Sequence, residues 1–226
     1  MIMAEMGLGY GSEFQLMRFL GHHKKDLDTL IQNATGVYEQ IQWLDYPYDR
    51  KRKSGDGELT GIDCFKELKI YEDIREKWLR FWPQGGSSMN WDGIFILNNT
   101  WYFVEAKANE KEAFQLCKAK SKDSRYQIDQ AMEFAKKWLS VDNKINWRRT
   151  NCYQLANRLA FAAFCNEICN IPVKLLYVGF INGYGKKSVE SVKDWESIWR
   201  REFETLGLSE SNLSGILYHI YPNCVR

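Results

Sequence analysis

Two short apolar runs, 90–97 (NWDGIFIL) and 100–108 (TWYFVEAKA), flank the dipeptide Asn98-Asn99. Both are rich in β-branched and aromatic residues, the composition of paired strands. A two-residue turn at Asn98-Asn99 fixes the pairing of the resulting hairpin. It sets Leu97 opposite Thr100, Phe95 opposite Tyr102 and Asp92 opposite Glu105. Elsewhere the apolar spacing predicts a helix over 12–32, opened by a Ser12/Gln15 capping box. Residues 37–46 read as a strand or as part of the helix packing. A charged loop over 49–61 (DRKRKSGDGELTG) follows, then a helix over 65–81 stopped by Pro83 and Gly85-Gly86. After the hairpin come a helical stretch over 110–118, a lysine-rich linker, and helices over 124–139 and 151–169. A buried strand over 172–181 (PVKLLYVGFI), a turn at Asn182-Gly183, a helix over 192–206 and a last strand over 216–221 complete the chain. This order predicts an α/β domain with a central mixed sheet, a single unit spanning 1–226.

The hairpin concentrates charge in an apolar setting. Residues directly opposite share a sheet face, and period two puts Lys107 beside Glu105. Trp101, Phe103, Ile94 and Ile96 lie on that face, which predicts that it is covered. Charges at the end of a covered face are costly unless they are used. Two facing carboxylates repel unless a positive charge sits between them, and a divalent cation answers that need. Asp92, Glu105 and the Ala106 carbonyl are hard oxygen donors suited to Mg²⁺ or Mn²⁺. A cation held there can activate water for attack on a phosphodiester, with Lys107 orienting the water and stabilising developing negative charge. Glu13, in the first turn of the first helix, precedes Leu16, Met17 and Leu20 at i+3, i+4 and i+7, so it is expected to face inward and support the site. Its competing reading is a favourable interaction with the helix amino terminus. Gln154 and Arg158, at i and i+4 on the helix before the buried strand, are expected to reach a phosphate or base; the alternative is a helix cap and a surface cation.

Asp92 followed by Glu105-Ala106-Lys107 resembles the PD-(D/E)xK phosphodiesterase superfamily, and the wording FWP, WDGIF, VEAKA and YQLANRLA resembles an uncharacterised bacterial group within it. The pattern is an acidic residue on one strand of a hairpin and (Asp/Glu)-x-Lys on the next. The core motif covers about residues 90–108, and the wider wording spans most of the chain. One departure is that no proline precedes Asp92. The resemblance implies a restriction-endonuclease-like three-layer α/β/α fold and a metal-dependent nuclease, most readily on DNA. It places Asp92 and Glu105 on the metal, Lys107 and Glu13 in the catalytic set, and a helical Gln such as Gln154 on the substrate. The alternative is a noncatalytic nucleic-acid- or protein-binding module that keeps the fold.

Composition narrows the setting. Apolar residues make up 45% of the 226 and aromatics 15%, ample for a packed core. A net charge of +2 does not by itself point to nucleic acid, so any such contact must come from local patches. Lys51, Arg52 and Lys53 in the loop, and Lys118, Lys120, Lys122 and Arg125 after the hairpin, are the candidates for following a phosphate backbone. Asp56 and Glu58 form a rival acidic cluster that the surrounding loop and Gly57 leave unfixed. The six cysteines lack a CxxC pair, and Cys165 and Cys169 read as buried thiols rather than a zinc pair. No apolar run has the length of a membrane span, and the amino terminus lacks a secretory pattern; the expectation is a cytoplasmic protein. Oligomeric state, a homodimer included, is left open.

Overall fold

The computed structural model describes residues 11–44, 59–85, 89–183 and 187–225. The helices are α1 (Ser12–His22), α2 (Lys24–Thr35), α3 (Tyr71–Phe81), α4 (Glu110–Ala113), α5 (Lys122–Trp138), α6 (Tyr153–Ala163), α7 (Val192–Leu206) and α8 (Glu210–Leu213). The strands are β1 (Gln42–Trp43), β2 (Leu59–Thr60), β3 (Asn90–Trp91), β4 (Gly93–Leu97), β5 (Thr100–Lys107), β6 (Val173–Gly179) and β7 (Leu217–Ile220). Asn98 and Asn99 both take positive φ, 48° and 56°, which asparagine tolerates and a type I′ hairpin turn requires. The register is the expected one, with Leu97 paired to Thr100 and Phe95 to Tyr102.

Five strands form one mixed sheet in the order β1-β4-β5-β6-β7. The β1–β4 and β4–β5 pairs are antiparallel, whereas β5–β6 and β6–β7 are parallel. Parallel strands need covered faces, and both are covered. On one face Phe95, Leu97, Tyr102, Val104, Ala106, Leu176 and Val178 pack under Leu16 and Phe19 of α1 and Leu27 and Ile31 of α2. The other face carries Ile94, Phe103, Leu175 and Tyr177 against Phe65, Trp91, Phe161 of α6, and Trp195 and Trp199 of α7. The chain is therefore an α/β protein with a central mixed sheet between helical layers. None of the helices among the described residues is long and apolar enough to cross a membrane.

Several expected elements are resolved differently. The helix expected over 12–32 is two helices meeting at His23, whose φ of −131° leaves the helical region. Gly11 rather than Ser12 is the N-cap of α1, and no side chain caps it; Gln15 is fully buried instead of reaching back. Met17, expected in the buried stripe, is 47% exposed, because the stripe runs through Gln15, Leu16 and Phe19. The helix expected from residue 65 begins at Tyr71, preceded by a 3₁₀ turn at Asp63–Phe65. The helix expected over 110–118 stops at Ala113, and that expected over 151–169 leaves α geometry for a π turn at Phe164–Ile168. Of the loop expected over 49–61, only its last three residues lie within the described ones, and Leu59–Thr60 pair with β3. Lys51, Arg52, Lys53, Asp56 and Glu58 lie outside the described residues.

Gly179 ends β6 where α7 crosses the sheet. A Cβ there would lie 2.8 Å from the Trp195 ring carbons Cγ and Cδ2. Trp195 is fully buried and its indole N–H donates to the Phe180 carbonyl at 3.1 Å, so the ring is held in place. Gly179→Ala is expected to destabilise the fold by about 1–3 kcal/mol through overpacking, read as a lower urea midpoint with an unchanged m-value.

Candidate active site

The hairpin carries its buried charge at the C-terminal end of β5. Glu105 and Lys107 are each 3% exposed and stand on the same face, two residues apart. Nothing in an apolar layer would hold them without partners, and α6 supplies those partners from above. One oxygen of the Glu105 carboxylate accepts from the Lys107 ammonium and, at 2.7 Å, from the Gln154 amide. The other accepts from Nε and Nη2 of Arg158, at 2.8 and 2.7 Å. Lys107 also donates to the Gln154 carbonyl oxygen at 2.9 Å, which fixes the orientation of that amide. Arg158, 4% exposed, donates onward to Asn157 at 2.9 Å and to the Asn90 carbonyl at 2.7 Å. Its guanidinium lies 4.4 Å from the centroid of the Trp91 ring, a cation–π contact. Burial alone would raise the Glu105 carboxyl, but Lys107 and Arg158 outweigh it and hold it below its ordinary value.

Asp92 departs from the expected geometry. The run 90–97 is not one strand, because β3 turns aside to pair with β2 and Asp92 is a bend between β3 and β4. Its N–H donates to the Val104 carbonyl at 3.2 Å, and its carboxylate accepts from the Ala106 N–H at 2.7 Å. Asp92 is therefore at the edge of β5 rather than standing face to face with Glu105. Its side chain takes the place of the next ladder carbonyl and so caps the end of the hairpin. The Asp92-Gly93 dipeptide is a turn signal that marks this bend in the sequence. Glu13 lies one turn before Leu16 on α1, half-buried, in the helical layer on the sheet face opposite Glu105 and Lys107.

Sequence reasoning did not single out Glu202. It lies on the stripe Trp195, Ile198, Trp199, Glu202 and Leu206 of α7, whose members are all buried. A carboxylate on an otherwise apolar helical stripe is a legible signal. Glu202 is 1% exposed and its Oε2 finds no hydrogen-bond partner among the described residues. Burial pushes its carboxyl up to about 8; Lys107 opposes the shift and Glu105 adds to it. Register extends the polar row sideways, from Glu105 to Tyr177 on β6 and on to His219 on β7. The Tyr177 hydroxyl and His219 Nε2 are likewise buried without partners among the described residues. Burial depresses His219 to about 4, so the imidazole is neutral at pH 7.

These shifts fix the sign of a pH effect. Folded Glu202 keeps a proton that the unfolded chain releases near 4.5, so its stabilisation is lost as pH rises toward about 8. His219 works oppositely, since its ordinary value of 6.5 falls to about 4 and stability is lost as pH falls between them. The two offset each other where their windows overlap, from pH 4.5 to 6.5. Above pH 6.5 only Glu202 remains, and the loss up to pH 8 is about 2 kcal/mol. Glu202→Gln is expected to flatten this decline, measured by urea unfolding across the same pH range.

Glu105, Lys107, Gln154 and Arg158 thus form one network, Asp92 adjoins it through Ala106, and Glu13 comes from the other layer. Among the described residues no group of three or more His, Cys, Asp or Glu side chains converges as a metal site. The smaller set of Asp92, Glu105 and the Ala106 carbonyl has the hard oxygen chemistry that Mg²⁺ or Mn²⁺ takes. Along β5, Phe180 N–H donates to the Lys107 carbonyl, so alternate residues address β6, and Ala106 addresses the Asp92 side. Comparison with protein-family models, with curated proteins and with solved structures finds no match to this chain.

Proposed function

We propose that the chain is a metal-dependent nuclease of the restriction-endonuclease-like, PD-(D/E)xK kind, hydrolysing phosphodiester bonds in DNA. The observation that carries this reading is the burial of Glu105 and Lys107 side by side on β5, with the Asp92 carboxylate on the adjoining Ala106 amide. Buried charge of this density is costly, and replacing such a network by apolar residues is often neutral or stabilising. Its retention at a strand end is explained by use. Asp92 and Glu105 would hold Mg²⁺ or Mn²⁺, with the Ala106 carbonyl beside them. The bound cation supplies a water of lowered pKa and a countercharge for the phosphate. Lys107 orients the attacking water and carries positive charge to the developing phosphorane. Gln154 holds Lys107 and is the network member placed at the start of α6, where it can also meet substrate. Arg158 anchors the inner oxygen of Glu105, a positioning role rather than the substrate contact its helical spacing suggests. Glu13 supports the site from the α1 layer.

A second reading is favoured by one feature, the saturation of Glu105 by two cations and an amide. A noncatalytic binding module that keeps the fold would need nothing more from these residues. The two readings differ on metal. The nuclease is expected to melt at a higher temperature with Mn²⁺ or Mg²⁺ and to lose that shift in Asp92→Ala. A binding module would melt identically with either ion and with EDTA.

A further inference from the structure

The segment linking the hairpin to α5 runs past the start of α6. Tyr153 N–H donates to the Gln115 carbonyl at 3.1 Å, and Gln115 bridges Cys152 in parallel fashion. This pins the segment one residue from Gln154, which bonds both Glu105 and Lys107. Beyond that anchor the chain carries Lys118, Lys120, Lys122 and Arg125 against one carboxylate, Asp123, and all five are exposed. None of the three lysines has an ion-pair partner among the described residues. The segment is not loose: Arg125 Nε donates to the Ala119 carbonyl at 2.8 Å, and Ser121 caps α5 through the Ser124 N–H at 3.0 Å. Two large apolar side chains flank the cations, Leu116 at 64% exposure and Tyr126 at 68%. Lys122 and Tyr126 are i and i+4 on α5, so a cation and an aromatic ring share one exposed face.

We infer that this face, from Leu116 to Tyr126, is a docking track for an unpaired nucleic-acid strand leading toward the site at the end of β5. The inference rests on the nucleic-acid reading above. Charge decides the partner's sign, since free lysines along an ordered segment neutralise successive phosphates. Tyr126 decides the strand state: an exposed ring beside cations offers a stacking platform that paired bases, already stacked, cannot use.

The test measures binding rather than cleavage, so it separates this inference from the nuclease reading. Labelled oligothymidine, oligouridine and a duplex of the same length are titrated by fluorescence anisotropy in EDTA over a salt series. The wild type is expected to bind both single strands better than the duplex. The Lys118→Glu/Lys120→Glu/Lys122→Glu variant should bind weakly, its log–log salt slope shallower by about 2, at roughly 0.7 per lost phosphate contact. Tyr126→Ala should weaken single-strand binding between about fivefold and a hundredfold with the slope unchanged. These positions are exposed, and glutamate in the first turn of α5 favours the helix dipole, so both variants are expected to keep the wild-type melting temperature. A stronger grip on duplex than on single strands, equal binding by the lysine variant, or no binding by the wild type would each overturn the inference. Strand binding by a protein that cuts nothing would leave this track standing and remove the nuclease reading.

Discussion

Arg158→Met is expected to destabilise the fold by about 3–5 kcal/mol, because it strips a buried carboxylate of a countercharge while leaving the carboxylate in place. Methionine fills much of the arginine volume, so the loss is electrostatic more than a packing defect. Four bonds go with the guanidinium: the two that Nε and Nη2 make to Glu105, the bond to Asn157 and the bond to the Asn90 carbonyl. Lys107 remains on Glu105, which keeps the cost below that of an isolated buried charge. For a chain of this length the loss lowers the melting temperature by about 6–20 °C. Glu105→Gln in the same background should recover part of it, since the remaining amide needs no cation. A double-mutant cycle reads the coupling directly, and additive effects would show that Glu105 and Arg158 do not act as a pair.

Lys107→Ala is expected to reduce cleavage by about 10²–10³-fold or more, the size of effect that removal of one preorganised electrostatic group produces. It should leave metal binding in place. Asp92 and Glu105 supply the carboxylates, Arg158 continues to hold Glu105, and the Asp92 bond to the Ala106 amide involves no lysine atom. Asp92→Ala, by contrast, should abolish both the metal-induced rise in melting temperature and the cleavage. This pattern separates water positioning from ion binding. A Lys107→Ala protein that cuts at the wild-type rate would remove lysine from the chemistry and reduce the pair to a structural ion bridge.

What the chain discloses about itself divides along a physical line. The hairpin, its turn and its register were legible because Asn98-Asn99 admits one turn type and the strand period is strict. The helix Val192–Leu206 was legible because its apolar residues recur at helical spacing. The bend at Asp92 had a local sign in Asp92-Gly93, yet the departure of Asn90 and Trp91 was not legible, because it depends on pairing with β2. The division of the first helix at His23 and the shortening of α4 follow from tertiary packing that propensity does not encode. At the site, Glu105, Lys107 and Gln154 fell together as residue type and spacing suggest. Arg158 went inward because Glu105 needed a second cation, a demand invisible until the strand face is covered. Glu202 was overlooked although its stripe announces it, since a carboxylate in a helix reads first as surface.

The most direct test incubates the purified protein with supercoiled plasmid, single-stranded DNA and RNA, in Mg²⁺ or Mn²⁺ and in EDTA, beside Lys107→Ala. The account predicts cleavage that needs the metal and is lost in both controls, with DNA cut in preference to RNA. Intact substrates throughout, together with an unshifted melting temperature in either ion, would contradict it and leave a binding module built on a buried ion network.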